Sequence, residues 1–565
     1  MTDGLRRRLN FIGLILGILT VLIAWRLVSL QFYVDTGYFA QQANLEYHKQ
    51  VSITPPRGEL YDRNGVLLAT NAIEYEIGLS PRLILDREST AEKLSEATGL
   101  SKDELMEAMA DPDVLYVLLV RPAPAAMGQR VLALKLDGIV VTPLTRRYYP
   151  HGTLASQVLG FVRFDSNEGF YGIEGYYNDV LAGEIGTEDQ SRIPFDATRG
   201  EGWRNGSDLY LTLDSEIQYL AESTLDEALK STGAQTGTII VMNPRTGEIM
   251  AMASRPTYDP NRYFDADPVL WNDPAISAQY EPGSTAKAMT MAIALEDHTV
   301  NPDSTYEDRG VLDIGGIEVY NWDRAAHGVT SMTQLLAKSL NVGAATLAIG
   351  LGPTRYYDGV QGFGIGQPTG IDLAGEIGGT LARPGQTGWT DASLASNAFG
   401  QGMATTPLQM ITAVAAIAND GLLVQPHMVT RRVDADQSVT NFGPTVIGRA
   451  ISVDTAHTLS DMLANALQSE SSGALVPGYR IAGKTGTAQI PGPGGYEENT
   501  TIASFIGYGP VDDPRFIVLI KLDRPTSSPW GSETAAPAFS QFVKRLVVLL
   551  EIPPDTIRQA AQAGG

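Results

Sequence analysis

The sequence predicts an α+β protein with a membrane anchor, and two patterns carry that prediction. An uncharged run near the N-terminus predicts one membrane-spanning helix. Farther along, β-rich runs stand at both ends of a long helix-rich region, which predicts an antiparallel sheet closed by the two ends of one domain and packed on helices. The length of 565 residues allows two or three domains with ample cores.

The anchor is the apolar run from Leu9 to Trp25, LNFIGLILGILTVLIAW, which is long enough for a tilted membrane helix. Three arginines, Arg6 to Arg8, precede it, so the positive-inside rule predicts a single-pass protein of the cell membrane with a cytoplasmic N-terminus and its bulk outside. A cleaved signal peptide is the alternative, but the run exceeds the usual apolar core and no convincing cleavage site follows. We expect the cytoplasmic tip and anchor to cover residues 1–35.

Residues 36–205 mix strand and helix patterns, which predicts a second α+β domain. The stretch VSITPPRGELYDRNGVLLATN, from Val51 to Asn71, predicts a β-hairpin because apolar and polar residues alternate around turn signals. Ser101, with Glu104 three residues later, predicts a capped helix. The polar, glycine-bearing stretch TEDQSRIPFDATRGEGWRNGSD predicts a boundary loop at the end of this domain.

Residues 206–550 carry the sheet-and-helix domain. After a helix capped near Asp214, the segment GTIIVMNPRTGEIMAMAS predicts a hairpin turned at NPRTGE. The runs TIASFIGYGPV and RFIVLIKLD predict two further strands near the other end of the domain. Residues 551–565 predict a flexible tail.

Composition excludes several functions. The net charge of −23 argues against a nucleic-acid partner, because phosphate binding needs clustered basic residues. The chain has no cysteine, and its six histidines are scattered without metal-ligand spacing. We therefore expect neither a metal nor a cofactor.

The first chemical motif is Ser284 with Lys287, in YEPGSTAKAMTMAIALEDH. A helix that is apolar all round is buried, so Ser284 is expected at the N-terminal end of a core helix with Lys287 one turn later on the same face. Burial disfavours an ammonium ion, and a neutral lysine beside the hydroxyl can accept its proton. The spacing alone is weak evidence, because among ten lysines it arises by chance about as often as not.

Two further motifs follow along the chain. Ser339 and Asn341 precede a second apolar helix, where such residues are usually caps. Lys484, Thr485, Gly486 and Thr487 lie on a predicted strand, and a glycine within a strand often marks the close approach of another backbone. The lysine and the threonine hydroxyls can hold a carboxylate, and the strand edge can pair with a peptide. An edge strand with a bulge is the simpler interpretation of this motif by itself.

Together the motifs Ser-x-x-Lys, Ser-x-Asn and Lys-Thr-Gly, in this order, are typical of serine acyl-transfer enzymes that react with penicillin. The chain resembles the penicillin-binding proteins, the serine D,D-transpeptidases that cross-link peptidoglycan, and in particular the membrane-anchored class B members. RGELYDRNGVLLATN, RRYYPHGTLASQVLGFV and GIEGYYNDVLAGEIG are similar to the pedestal of that class, and NAFGQGMATTPLQM and SFIGYGP to its transpeptidase domain. The resemblance implies that residues 36–205 form an elongated, dimerisation-type pedestal and that residues 206–550 form the transpeptidase domain.

The resemblance also implies roles at the site. Ser284 would be the nucleophile, Lys287 the base, and the backbone N–H groups of Ser284 and Thr487 the oxyanion hole. Proton transfer and the electrostatics of the site would be controlled by Ser339, Asn341 and Lys484. Substrate would be bound by Thr485, Gly486 and Thr487.

The expected ligands are peptidoglycan stem peptides and β-lactams. The forms YEPGSTAK, KSLN and KTGTA resemble the cell-division branch more than the rod-elongation branch. The resemblance implies a polytopic glycan polymerase of the SEDS type and proteins of the division or elongation complex as partners. Three alternatives stay open: an elongation enzyme, a β-lactam sensor or β-lactamase-like protein, and a scaffold with an inactive site. For the β-lactamase alternative, no residue that would activate water is evident from spacing.

Overall fold

The computed structural model describes residues 3–32, 48–164, 166–191, 199–201, 203–469, 473–492 and 494–563. The chain divides into two compact units, Met1–Pro56 with Gly183–Asn205, and Arg57–Ala182 with Gly206–Gly565. Residues 57–182 of the predicted pedestal thus share one compact unit with the C-terminal region.

The first unit contains the helix Asp3–Phe32 and a small antiparallel sheet. Residues Gly4–Ser29 of the helix are long and apolar enough to cross a membrane. The sheet pairs His48–Ile53 with Gly186–Ser191, which pairs in turn with Arg199–Glu201. Two predictions were wrong here: part of the expected boundary loop is a strand, and its partner is the start of the expected Val51–Asn71 hairpin. The pairing is distant in sequence, so no local turn signal indicates it.

The N-terminal part of the second unit is a sheet backed by helices. Leu60–Tyr61 and Leu67–Leu79 form the rest of the predicted hairpin, because the Asp62 carboxylate accepts the N–H groups of Asn64 and Val66, each at 2.8 Å. The predicted capping box of Ser101 and Glu104 is confirmed. The other elements here are the strands Val117–Ala123 and Ile139–Tyr148 and the helices Arg87–Thr98, Lys102–Ala108 and Ala125–Leu134.

A buried ion cluster ties the start of this part of the chain to the short elements that follow the sheet. Glu174 accepts from Arg57 Nε and Arg147 Nε, both at 2.6 Å, and its side chain is fully buried. The short elements around it are the helices Ser156–Leu159, Gly172–Tyr176 and Asn178–Leu181 and the strands Phe161–Val162 and Gly169–Phe170. In addition, Leu60–Tyr61 pairs in parallel with Asp208–Leu211. This strand pairing joins residues 57–182 to the C-terminal part of the larger unit.

The predicted antiparallel sheet, closed by both ends of the domain, is confirmed; among the described residues it has five strands, with the two early strands beside the three late ones. Its order is Ile249–Arg255, Thr236–Met242, Phe516–Asp523, Gly495–Gly509 and Ala482–Gly492, all antiparallel. The inner strands are buried on both faces because helices cover each side. One layer contains Ser215–Thr232, capped by Asp214 as predicted, and Ala535–Leu549; the other contains Lys287–Glu296, Pro407–Ala418 and Val453–Ser469. Ala482–Gly492 is the edge strand nearest the motif residues.

The remaining elements complete the helical middle and its margins. The helices are Pro274–Ser277, Met332–Lys338, Asn341–Leu351, Pro353–Gly362 and Asp391–Ala398. The strands are Thr305–Asp308, Val311–Ile314, Ile317–Tyr320, Gly328–Ser331, Leu422–Val424, Val429–Val433, Val439–Asn441 and Val446–Arg449.

The last segment differs from the predicted flexible tail. It contains the helix Asp555–Ala563, whose first turn is bonded to the domain. Asp555 Oδ2 accepts from Arg480 N at 2.6 Å, and Arg558 pairs with Asp512 at 2.6 Å. These partners are distant in sequence, so composition alone does not reveal them.

Candidate active site

The segment that carries Ser284 is held by backbone contacts on both sides. Tyr280 exchanges two hydrogen bonds of 2.9 Å with Thr405, and Gly283 N donates to Gly400 O at 3.0 Å. Gly283 has a φ of +56°, and a Cβ there would lie 2.8 Å from Thr487 O, so both its conformation and its surroundings require glycine. The segment therefore runs beside the edge strand and turns sharply into the core.

Ser284 lies on a single 3₁₀ turn, Gly283–Ala286, that leads directly into the helix Lys287–Glu296. All residues of that helix except the last are buried, as the apolar sequence predicts. The lysine and the serine are one turn apart, and Lys287 Nζ lies 3.0 Å from Ser284 Oγ.

Lys287 is enclosed by oxygen atoms and has no carboxylate partner among the contacts of the described residues. Its Nζ lies 2.6 Å from Ser339 O, 3.1 Å from Ser339 Oγ and 2.8 Å from Asn341 Oδ1. Burial, and secondarily the charge of Lys484, lowers the pKa of Lys287 well below the ordinary value. A buried lysine without a counter-ion is a group that can work as a neutral base.

Ser339 and Asn341 are brought to Lys287 by the break between two helices. Ser339 ends Met332–Lys338 in the left-handed conformation, with φ 55° and ψ 47°, which turns its carbonyl and hydroxyl toward the lysine. Asn341 begins Asn341–Leu351 and donates from Nδ2 to Tyr320 O at 3.0 Å, which orients its Oδ1 toward Lys287. Neither side chain caps the second helix, since the cap position is Leu340 and it makes no side-chain bond. The interpretation of this pair as side-chain caps of the second helix is therefore wrong.

Lys484 reaches the same hydroxyl from the opposite wall. Its Nζ lies 3.1 Å from Ser339 Oγ and 3.3 Å from Thr485 Oγ1. Burial lowers the pKa of Lys484 to about 7. Ser339 Oγ is thus a shared contact of two buried lysines, and the three sequence motifs meet around it.

The edge strand has a glycine where the nucleophile segment crosses it. A Cβ on Gly486 would lie 2.3 Å from Ser504 Oγ, 2.9 Å from Thr285 Cγ2 and 3.2 Å from the backbone oxygen of Pro282, so the expected close approach of another backbone is confirmed. Thr487 Oγ1 accepts from Gly531 N at 3.0 Å, which leaves its own hydroxyl proton available to a ligand. The edge of this strand is unpaired within the sheet, so it can add a peptide strand.

A cavity of about 640 Å³ opens over these groups. Ser284, Ser339, Lys484, Thr485 and Thr487 are among the residues that line it. This volume suits a short peptide or a drug-sized ligand. Among the described residues, no group of three or more His, Asp or Glu side chains is placed to hold a metal ion.

Several residues around the site were missed by the sequence analysis. Glu281, which is buried, accepts from Gly402 N at 2.9 Å and from Tyr496 Oη at 3.1 Å, and it stabilises the nucleophile segment from the side. Asn321 Oδ1 accepts from Val342 N at 3.1 Å and thereby holds the start of the second motif helix. Two tryptophans, Trp322 and Trp530, line the cavity. Although Glu281 lies just before Ser284 in the sequence, the partners through which these residues act are distant along the chain, so no local pattern reveals their roles.

Comparison with known families identifies the class. The description "penicillin binding protein transpeptidase domain" matches residues 237–544, and "penicillin-binding protein dimerisation domain" matches residues 52–192. The chain belongs to the class B penicillin-binding proteins. The predicted family, the α+β fold and the serine-type transpeptidase domain are confirmed.

Individual relatives resemble the chain over nearly its whole length. It is 33% identical over 564 residues to stage V sporulation protein D of Bacillus subtilis, which covers 97% of this chain and 86% of that protein. It is 28% identical over 548 residues to the probable peptidoglycan D,D-transpeptidase PbpC of Pseudomonas aeruginosa, covering 95% and 94%. The crystal structure of penicillin-binding protein 3 of Mycobacterium tuberculosis with aztreonam superposes with a TM-score of 0.70 at 30% identity, covering 89% of this chain and 98% of that one.

Proposed function

We propose that Ser284 is the nucleophile of a peptidoglycan D,D-transpeptidase that cross-links stem peptides through an acyl-enzyme. The observation that carries this proposal is the 3.0 Å contact between Ser284 Oγ and the Nζ of Lys287, which is buried and has no counter-ion among the described residues. Chemistry at a serine needs a base at this distance in a form that accepts a proton. Residues 36–205 are proposed as the pedestal and 206–550 as the catalytic domain, in line with the family matches.

Acylation follows from the groups around Ser284. Its Oγ attacks the carbonyl carbon of the penultimate D-alanine while the hydroxyl proton passes to Lys287. The peptide C–N bond then breaks, and the terminal D-alanine leaves after its nitrogen takes up that proton. The N–H groups of Ser284 and Thr487 are proposed to hold the oxyanion, because the two backbones lie side by side at Gly283.

Transfer to the acceptor reverses these steps. The amine of a neighbouring stem peptide attacks the ester carbon, a new C–N bond forms, and the bond to Ser284 Oγ breaks. One amine proton returns to Ser284. Ser339 is suited to pass protons between the two lysines, because its Oγ contacts both.

Substrate recognition is proposed at the edge strand. Lys484, Thr485 and Thr487 line the same cavity, and their ammonium and hydroxyl groups suit the terminal carboxylate of the donor. Asn341 is proposed to bind the peptide amide as well as Lys287. Gly486 allows the strand to lie against the nucleophile segment. A β-lactam carries a carboxylate and a reactive amide at similar positions, so it would acylate Ser284 in the same way.

The test is labelling of the full-length protein with a fluorescent penicillin. Wild type should form a Ser284-dependent adduct that persists, and Ser284→Ala should form none. Ser223→Ala is the matched control, because that hydroxyl only bonds to Leu220 O within a helix. Undiminished labelling of Ser284→Ala refutes the nucleophile. A rapidly hydrolysed adduct indicates the β-lactamase-like alternative.

The cellular role is proposed as cell-wall synthesis at the division septum. The motif forms YEPGSTAK, KSLN and KTGTA support it, and it implies a SEDS-type glycan polymerase as the membrane partner. The N-terminal helix is proposed to cross the cell membrane with its basic end in the cytoplasm. Depletion in the native organism should produce filaments; rounded cells would assign the protein to elongation instead.

A further inference from the structure

The two walls of the catalytic cavity touch each other through a pair of tryptophans. Trp322 and Trp530 meet edge to face, with ring centroids 5.5 Å apart and an angle of 67° between the planes. We call this pair the tryptophan bridge. Both side chains are substantially exposed, at 56% and 38%, so the contact is not a by-product of core packing.

Each tryptophan is fixed to a different part of the catalytic machinery. Trp322 donates from Nε1 to Lys338 O at 2.9 Å, immediately before Ser339. Trp530 precedes Gly531, whose N–H donates to Thr487 Oγ1 at 3.0 Å. The bridge therefore joins the wall that carries the second motif to the wall that carries the edge strand.

The bridge also marks the boundary between two cavities. Beyond the catalytic cavity lies a larger cleft of about 1250 Å³, which borders the edge strand as far as Gln489 and also borders Tyr496 on the neighbouring strand. Six residues line both spaces: Trp322, Asn341, Phe399, Gln401, Thr487 and Trp530. Since Ser284 and Lys484 line only the smaller space, a ligand that extends from Ser284 into the cleft passes the junction that these six residues line, and the bridge forms part of that junction.

We propose that the tryptophan bridge determines which nucleophile reaches the acyl-enzyme, by restricting water in favour of an acceptor amine. This inference rests on the proposed acylation of Ser284. The ester can be attacked by water, which forms a C–O bond and releases an acid, or by an amine, which forms a C–N bond and releases the cross-linked product. In both reactions the Ser284 Oγ–C bond breaks and the serine regains a proton.

The physical basis is the size of the aromatic contact. An edge-to-face pair is weak enough to open when a ligand enters. While it is closed, its two rings occupy space at the junction that water would otherwise fill. An acceptor bound in the cleft gains contacts as it displaces the bridge, whereas a single water molecule gains few. Loss of either indole should therefore increase hydrolysis more than aminolysis.

The test uses full-length protein, an N-benzoyl-D-alanyl thioester as donor and D-alanine as acceptor. Thiol release reports acylation, and the two products, benzoyl-D-alanine and benzoyl-D-alanyl-D-alanine, report hydrolysis and aminolysis. Trp322→Ala and Trp530→Ala should each raise the ratio of hydrolysis to aminolysis about three- to tenfold, the range that one aromatic contact supports. Tyr219→Ala removes another exposed aromatic side chain and should leave the ratio unchanged.

Two further variants keep the proposal open to refutation. The double variant should resemble the single ones, because each single substitution already removes the same contact. Trp530→Phe retains a ring and should stay within about twofold of wild type. An unchanged ratio in both alanine variants overturns the proposal, and so does a slower acylation with no change in the ratio. Turnover that survives Ser284→Ala would instead overturn the proposed nucleophile, so the two failures are distinguishable.

Discussion

Replacing Lys484 by methionine should shift the pH dependence of acylation to higher pH. Lys287 Nζ and Lys484 Nζ each lie 3.1 Å from Ser339 Oγ, so they are separated by no more than twice that distance. At an effective dielectric constant of about 20, two ammonium charges at that limit repel by about 2.7 kcal/mol, or about a hundredfold in a protonation equilibrium. Without this repulsion Lys287 holds its proton more tightly, so more alkaline conditions are needed to make it a base.

The assay is the second-order rate constant for acylation by a fluorescent penicillin between about pH 5 and pH 10. The acidic limb of the profile should move to higher pH in Lys484→Met, whatever the maximal rate, because the position of the limb reports protonation rather than binding. Lys338→Met is the control, since that lysine lines the same cavity but lies 3.4 Å from His327 Nδ1 instead of contacting Ser339 Oγ. An acidic limb that stays in place or moves to lower pH would refute the coupling of the two lysines.

Three further predictions concern packing and stability. Gly486→Ala should reduce penicillin acylation at least about tenfold, because its Cβ overlaps Ser504 Oγ, whereas Gly443→Ala, with open space around it, should acylate normally. Glu174→Gln should lower the free energy of unfolding by about 3–5 kcal/mol in urea titrations, since two buried guanidinium groups lose their counter-ion; Glu92→Gln, at an exposed pair, should have little effect. Burial lowers the folded-state pKa of Lys484 to about 7, so above that pH the unfolded chain binds more protons than the folded chain. The free energy of unfolding should therefore rise from pH 7 toward pH 10. In Lys484→Met the urea midpoint should lack the part of this rise that Lys484 contributes.

Local sequence patterns were sufficient to predict the elements that depend on neighbouring residues. The capping box at Ser101 and the cap at Asp214 follow from side-chain chemistry within one turn. The hairpin around NPRTGE follows from two β-rich runs and the turn residues between them. The order of the three motifs was sufficient to identify the family. Burial of the helix after Ser284 follows from its apolar composition.

Features that depend on distant partners were not predictable in this way. The pairing of His48–Ile53 with Gly186–Ser191 joins segments far apart in sequence, so neither segment indicates the other. The last helix looked like a loose tail because its anchors, Arg480 and Asp512, lie outside it. Trp322 and Trp530 belong to no motif, and only the fold brings their rings together.

The left-handed turn at Ser339 decides where the free electron pair of Lys287 points. A neutral amine has two N–H groups and one lone pair, whereas Ser339 O and Asn341 Oδ1 can only accept hydrogen bonds. These two oxygens occupy both N–H groups, which leaves the lone pair facing the hydroxyls of Ser284 and Ser339. The backbone conformation at Ser339 therefore sets the direction of proton transfer. A regular helix through residue 339 would withdraw the Ser339 carbonyl and let the amine of Lys287 rotate away from Ser284.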